Sequence, residues 1–399
     1  MQILQLCKKF PFPLKDGESI AVTYLAQGLY KLGHQLTLLA MNTTKHPVAV
    51  NRVKHKLAHY KAVHFTRLDN EVKPLHAFLN LFSSDSYNIS RFDNEAFRLK
   101  LIELLKKQRY DVVQLESLYL TPYIDIIRAH SDARIVLRAH NVEHEIWERM
   151  SANEPLALRR WYFEYSARKL KKYEIDQLAL IDELLPISPV DEQKFRKMGY
   201  RGSSLSVPIG LDLEQFEYRE VKAEVPLSVS FIGSLDWMPN IEGLNWFLDA
   251  IWPHLSTIFP NLKLHVAGRN CPDWIKQMEG NNVIIEGEVK DSRQFLLQHP
   301  LTVVPLLSGS GMRAKILESM ALGRVVISTP LGLEGIPAKD KHAVLLADTA
   351  QEFIRKFRFC YHHQRHLPTI SENARKMIES NFDHLEIAKS VEAVYSSKV

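Results

Sequence analysis

"VVPLLSGSGMRAKILESMALGRVVISTP", residues 303–330, reads as a strand, a tight turn of small residues, a helix and a second strand. Apolar β-branched runs stand at both ends, and Met312, Ile316, Leu317 and Met320 supply a buried stripe at helical spacing between them. That is one βαβ unit, and so a parallel sheet. The turn is Ser308-Gly309-Ser310-Gly311, and the helix is expected to open with Arg313 and Lys315 in its first turn. Cations are the wrong sign there, since free N–H groups and the macrodipole favour acids by roughly 0.3–1 kcal/mol each. They make sense if a multiply charged anion sits at the helix mouth. Gly309 and Gly311 would let the backbone approach it, and the helix start would offer it N–H groups. A diphosphate is the obvious candidate, with Arg313 as a fork and Lys315 as a point charge. The plainer alternative is a turn that merely needs glycine, with Lys315 paired to Glu318 one turn on. Glu318 reads either as a solvated helix acid or as an acceptor for the vicinal hydroxyls of a ribose.

The same alternation runs outward in both directions. In the first half the strand candidates are "QILQL", "QLTLLAM", "DVVQLES", "RIVLRAH" and "ELLPIS", with an amphipathic helix from Glu18 to Leu32 that stops at Gly33. A second series holds "SVSFIG", "LKLHVAG", "NVIIEGEV", "LTVVPLL", "RVVISTP" and "AVLLAD". Between them "VPIGLDLEQFEYREVKAEVPL" reads as a charged linker. The fold class is therefore α/β, with two Rossmann-like domains built on parallel sheets, which are expected to face each other across a cleft. Residues 1–205 form the first domain, 206–225 the linker and 226–375 the second domain, and a helix over 376–399 is expected to pack back on the first. Ligand sites belong at the carboxyl ends of the strands.

At 399 residues two domains are the natural expectation, and 46% hydrophobic with 24% charged residues is ordinary for a globular protein. A net charge of +5 tolerates anionic substrates or an anionic membrane surface and is no nucleic-acid footprint. Cys7, Cys271 and Cys360 are widely spaced, which fits a reducing compartment and no structural zinc. The N-terminal apolar run is too short for a signal peptide, and no stretch approaches a membrane span. The expectation is a cytoplasmic protein, with any contact at the inner membrane face peripheral.

The stretch 303–336 resembles the C-terminal signature of the family-4 retaining glycosyltransferases, which have the two-domain GT-B fold. It is most similar to a subgroup in which a Gly/Ser-rich turn precedes R-x-K-I-L-E. "FIGSLDWMPNIEGLNWFLDAIWPHL" resembles the opening of that subgroup's C-terminal domain, with its W-x-P-N element, and "RAHNVEHEIW" and "PISPVDEQKF" match its N-terminal domain. The resemblance implies a nucleotide-diphospho-sugar donor bound by the second domain, as substrate rather than cofactor. Glu318 would be the second glutamate of the family's E-x7-E pattern, at the ribose, and Arg313 and Lys315 would neutralise the leaving diphosphate. Two departures stand out. Ser310 replaces the first glutamate, leaving the sugar contact to backbone amides or other residues. The usual basic residue after the first C-terminal strand is missing from "GSLDWMPN", so Gly233, Ser234, Asp236 and Asn240 offer neutral or acceptor contacts there.

Other strand ends carry further candidates. By the same resemblance "DGESIAV" stands where the family has its glycine-rich loop, with Gly17 near the donor phosphate, although Asp16 or Ser19 capping a helix explains it as well. His140 directly follows "RIVLRA" and would face the reacting sugar or orient the acceptor; a lone histidine is otherwise a structural one. Asn141 is an acceptor-side candidate or a helix cap, Glu143 an acceptor contact or a first-turn acid, and Glu116 ends "DVVQLES". "GRNCP" and "EGEVKD" are the loops used around the base, represented by Arg269 and Val289. "RRWYFEYSARKLKKYEI", residues 159–175, reads either as a patch for a membrane surface or anionic acceptor, or as a core helix with a basic outer face.

The function these readings imply is transfer of a sugar from a nucleotide-diphospho-sugar to a glycan, glycolipid or other acceptor, in polysaccharide biosynthesis. Retention would come from front-face attack, with the protein positioning the reactants and stabilising leaving-group charge. No metal is required if Arg313 and Lys315 do this, and the chain has no D-x-D motif. A catalytically silent nucleotide-sugar-binding or scaffold protein and a GT-B sugar-nucleotide epimerase stay open. A dehydrogenase is disfavoured, because no G-x-G-x-x-G follows a strand with an acid about 20 residues on.

Overall fold

A computed structural model describes residues 1–14, 16–71, 86–222, 226–309 and 311–397. The chain forms two compact units, Met1–Gly210 with His384–Val399, and Leu211–Asp383.

The first unit is built on β1 (Gln2–Cys7), β2 (Gln35–Thr43), β3 (Tyr60–Leu68), β4 (Val112–Leu115), β5 (Arg134–Ala139), β6 (Glu183–Pro186) and β7 (Ser203–Ser204). All pair in parallel, in the order β3-β2-β1-β4-β5-β6-β7. Ile3, Leu4 and Leu6 in β1 are fully buried, as are Val113 and Leu115 in β4. Strands covered on both faces read as apolar runs, which makes them visible in sequence. The helix Gly17–Lys31 starts on Asp16, whose carboxylate accepts from Ser19 N at 3.0 Å. The C-terminal helix His384–Ser396 packs on it closely enough that a Cβ on Gly28 would stand 2.6 Å from Ala388 Cβ.

The second unit holds β8 (Ser228–Ile232), β9 (Lys263–Ala267), β10 (Val283–Gly287), β11 (Leu301–Val304), β12 (Val325–Ser328) and β13 (Leu345–Leu346). These too are parallel, in the order β10-β9-β8-β11-β12-β13. Phe231 and Val303 from the sheet pack with Phe247, Phe353 and Phe357 from flanking helices. Burying each such ring stabilises the unit by about 1.5–3 kcal/mol. Residues 206–222 do not form the separate linker expected over 206–225. Residues 206–210 belong to the first unit and Leu211 opens the second, where Phe216 and Val221 are buried. The helix Leu367–Asn381 spans the boundary placed at 375 and lies wholly in the second unit.

In each sheet the strand order reverses at one place, between β1 and β4 in the first and between β8 and β11 in the second. Loops leaving the strand ends at such points are where open α/β sheets bind ligands. Beside the second, the β8 and β9 ends are tightly spaced: a Cβ on Gly268 would lie 2.0 Å from Gly233 O. Gly268→Ala is expected to cost about 1–3 kcal/mol by overpacking, read as a lower denaturation midpoint of the second unit.

Candidate functional site

In the second unit the loops after β8, β9 and β11 converge. Asn240, on the helix Met238–Ala250, donates from Nδ2 to Ser234 O at 2.9 Å and accepts at Oδ1 from Lys315 Nζ at 2.8 Å. Arg269 Nε donates to Ser234 Oγ at 2.8 Å. Gly233 must be glycine for this, since its Cβ would come within 2.7 Å of Asn240 Nδ2. Ser308 donates its hydroxyl to Glu242, and Gly309 and Gly311 hold φ of 100° and 79°. Those values favour glycine. Ser310 lies outside the described residues.

The two cations are placed differently from the sequence expectation. The helix runs over Ala314–Ala321, so Arg313 is its N-cap residue and Lys315 alone of the two is in the first turn. Arg313 turns back across the glycine turn. It is buried, donates from Nη1 to Gly311 O at 2.6 Å, and lies 5.8 Å from the centre of the Trp237 ring. Lys315 is bonded to Asn240 rather than Glu318, with Phe231 beneath its ammonium at 5.0 Å. Burial, and then the Arg313 charge, push its pKa down to about 7. Lys315 thus sits, beside Arg313, where an anion would restore charge that the folded chain suppresses. Glu318 is half-buried, and burial raises its pKa to about 7 against the pull of Arg293. Val289 follows β10, which lies beside β9 and two strands from β8 in the sheet.

A pH dependence follows. Above pH 7 the unliganded protein loses the Lys315 charge, and below pH 7 Glu318 takes up a proton and loses acceptor capacity. Affinity for a nucleoside diphosphate is expected to peak near pH 7, with each limb approaching about tenfold per pH unit. Calorimetric titrations between pH 5.5 and 9 (roughly one to two units either side of the peak) check this.

In the first unit the loops after β4 and β5 meet. His140 Nε2 lies 3.0 Å from Glu116 Oε2, and with the carboxylate accepting, the ring donates from Nε2. Glu116 is fully buried and also accepts from Gln5 and Gln114, while Arg138 Nη1 stands 3.8 Å away. Tyr60 donates to Gln5 Oε1 at 2.6 Å and Tyr395 of the C-terminal helix donates to Gln114. His140 is therefore fixed from behind by a buried polar network. Burial pushes the Arg138 pKa down, with Glu116 opposing the shift.

Asn141 does not cap the next helix. The helix Glu143–Asn153 has Val142 at its cap position, and the free N–H groups of Glu143 and His144 are met by Glu174 at 3.1 and 3.4 Å. Glu174 comes from the helix Ala157–Gln177 and also takes His144 Nδ1 at 2.6 Å. Glu143 is buried and accepts from Tyr119 OH at 3.0 Å. Burial raises its pKa, Lys8 opposes that, and Glu174 adds to it. Gly17 opens its helix beside Asp16, which is paired with Lys9 at 2.7 Å. Tyr119, Glu174, Gln5 and Gln114 in this unit, and Trp237 and Glu242 in the other, were not among the expected residues. Among the described residues no group of three or more His, Cys, Asp or Glu is arranged to hold a metal ion.

The family described as Glycosyl transferases group 1 matches residues 226–363. A protein of 44.6 kDa from the cps region of Klebsiella pneumoniae is 25% identical over 305 residues, 74% of this chain and 76% of that one. The structure of Anabaena Alr3699/HepE in complex with UDP is similar over 100% of both chains, with a TM-score of 0.71 and 14% identity. Sucrose-phosphate synthase from Thermosynechococcus elongatus is similar over 99% of this chain and 98% of its own, with a TM-score of 0.73 and 15% identity. The two parallel sheets are those of the GT-B fold.

Proposed function

We propose that the protein is a retaining family-4 glycosyltransferase, taking a sugar from a nucleotide-diphospho-sugar held by its second unit. The observation that carries this is Lys315, a half-buried lysine with a depressed pKa, held by Asn240 beside Arg313 at the glycine turn after β11. A diphosphate placed there meets two cations, the turn's N–H groups and a helix start. The glycosyl-transferase match over 226–363 and the UDP of the Anabaena structure support the same reading. Glu318 binds the ribose, and Ser308, Gly309 and Gly311, with Gly233, Ser234, Asn240 and Arg269, line the rest. Val289 contacts the base.

The first unit takes the acceptor, a glycan or lipid-linked glycan, near His140, Asn141, Glu116 and Glu143, and Gly17 lets backbone approach the reactants. The bond between the anomeric carbon and the diphosphate oxygen breaks. A bond to the acceptor oxygen forms on the same face, and the acceptor's proton passes to the departing diphosphate. Arg313 and Lys315 stabilise the charge that develops, so no metal is needed. The cps-region relative supports surface-polysaccharide assembly as the setting, on the cytoplasmic side.

Ser310, where the family has glutamate, favours one second reading, a binding protein that does not transfer. Titration with UDP-sugars and other nucleotide sugars, followed by assay of diphosphate release with a cell-extract acceptor, separates the two. Release that depends on acceptor is expected. Tight binding without release points to the silent reading, and absence of nucleotide binding removes both.

A further inference from the structure

The helix Ala157–Gln177 contradicts its reading as a core helix with a merely basic outer face. Among its described residues only Ala167, Leu170 and Glu174 are buried. At about 100° per residue these share one side, and Leu158, Trp161, Tyr165, Lys169 and Lys172 share the opposite one. Leu158 is 79% exposed and Trp161 47% exposed, and Leu156 at the helix N-cap is exposed too. Trp161 and Tyr165 stack at 5.7 Å with an interplanar angle of 11°, and Lys169 lies 4.8 Å over the Tyr165 ring. From Leu158 to Lys172 this face carries no acid, and Arg168 flanks it.

We infer that this face is a docking surface for an anionic lipid bilayer. Exposed apolar side chains at one end would enter the headgroup boundary. Trp161 and Tyr165 would sit at its level, and the cations would meet lipid phosphates. No helix among the described residues is long and apolar enough to cross a membrane, so the contact is one that lies on the surface. Charge argues against a second copy as the occupant. A two-fold contact of this face with itself would set its cations against their own images.

The test is co-sedimentation of the full chain with vesicles of phosphatidylcholine, with and without phosphatidylglycerol. Binding is expected only with phosphatidylglycerol and is expected to fall as salt rises. The pair Lys169→Gln and Lys172→Gln should weaken it about 25-fold, at about fivefold per cation. The pair Leu158→Glu and Trp161→Glu should weaken it at least as much. Both pairs are on the surface and should leave nucleotide affinity unchanged, so this inference can fail while the transferase reading stands, and the reverse. Equal sedimentation of variants and parent, or none with either vesicle, overturns the proposal. So does a Leu158/Trp161 variant that alters only a concentration-dependent mass in solution, which would assign the face to a second copy.

Discussion

Replacing Arg313 and Lys315 together by alanine is expected to weaken nucleoside-diphosphate binding at least a hundredfold while the protein stays folded. Each cation facing a phosphate makes a charge-assisted hydrogen bond, and removing such a bond costs about 1.5–3 kcal/mol. Two together give about 3 kcal/mol or more, which sets the hundredfold floor. Folding should survive because neither side chain anchors the core by charge. Arg313 bonds a turn carbonyl and lies against Trp237, and Lys315 is held by Asn240 at a cost that its depressed pKa records. Isothermal titration of the variant and the parent reads the affinity, and circular dichroism reads the fold.

The second large effect concerns stability in the other unit. Glu116→Ala is expected to destabilise the first unit by about 3–5 kcal/mol, because Arg138 would stay buried without its carboxylate. For a unit of this size that is a fall in its midpoint of about 6–20 °C. Gln5 and Gln114 would each lose an acceptor as well. His140→Ala provides the contrast, since it leaves the Glu116–Arg138 pair in place. It should lower turnover roughly 10- to 100-fold through a lost charge-assisted contact, with a far smaller change in midpoint. A thermal melt and a diphosphate-release assay on the two variants separate a positioned functional histidine from a structural one.

What could be read in advance follows from where each signal lies along the chain. Strands β1, β2, β4, β5, β6, β8, β9, β11 and β12 announce themselves because strands covered on both faces are apolar runs, and the edge strands β10 and β13 still carry short apolar runs. Strand β3 did not. "YKAVHFTRL" forms the edge of its sheet, and its Lys61, His64 and Arg67 break the run. The Ser203–Ser204 strand offers two polar residues and no pattern at all. The helix Ala157–Gln177 misled because its aromatic residues stand where a core stripe was assumed, while the side that is buried holds an alanine, one leucine and an acid.

The candidate site divides in the same way. Gly233, Ser234, Asn240, Arg269, Gly309, Arg313 and Lys315 were legible as glycines and polar residues following strands, and the structure brings them together. Their partners were not legible. Glu174 reaches Glu143 across 31 residues, Gln5 reaches Glu116 across 111, and Tyr395 reaches Gln114 across 281. Such contacts leave no local periodicity to read. The Lys315–Asn240 bond, spanning 75 residues, is the one that changes the chemistry, because it holds an ammonium where desolvation lowers its pKa.

Proton linkage tests the central claim most directly. A nucleoside diphosphate is titrated into the parent protein and into Lys315→Met at pH 8, about one unit above the Lys315 pKa, in two buffers of different ionisation enthalpy. If the diphosphate recharges Lys315, the parent takes up close to one proton more than the variant on binding, and the variant binds more weakly. Equal proton uptake with equal affinity would contradict the account, because Lys315 would then have no part in holding the anion.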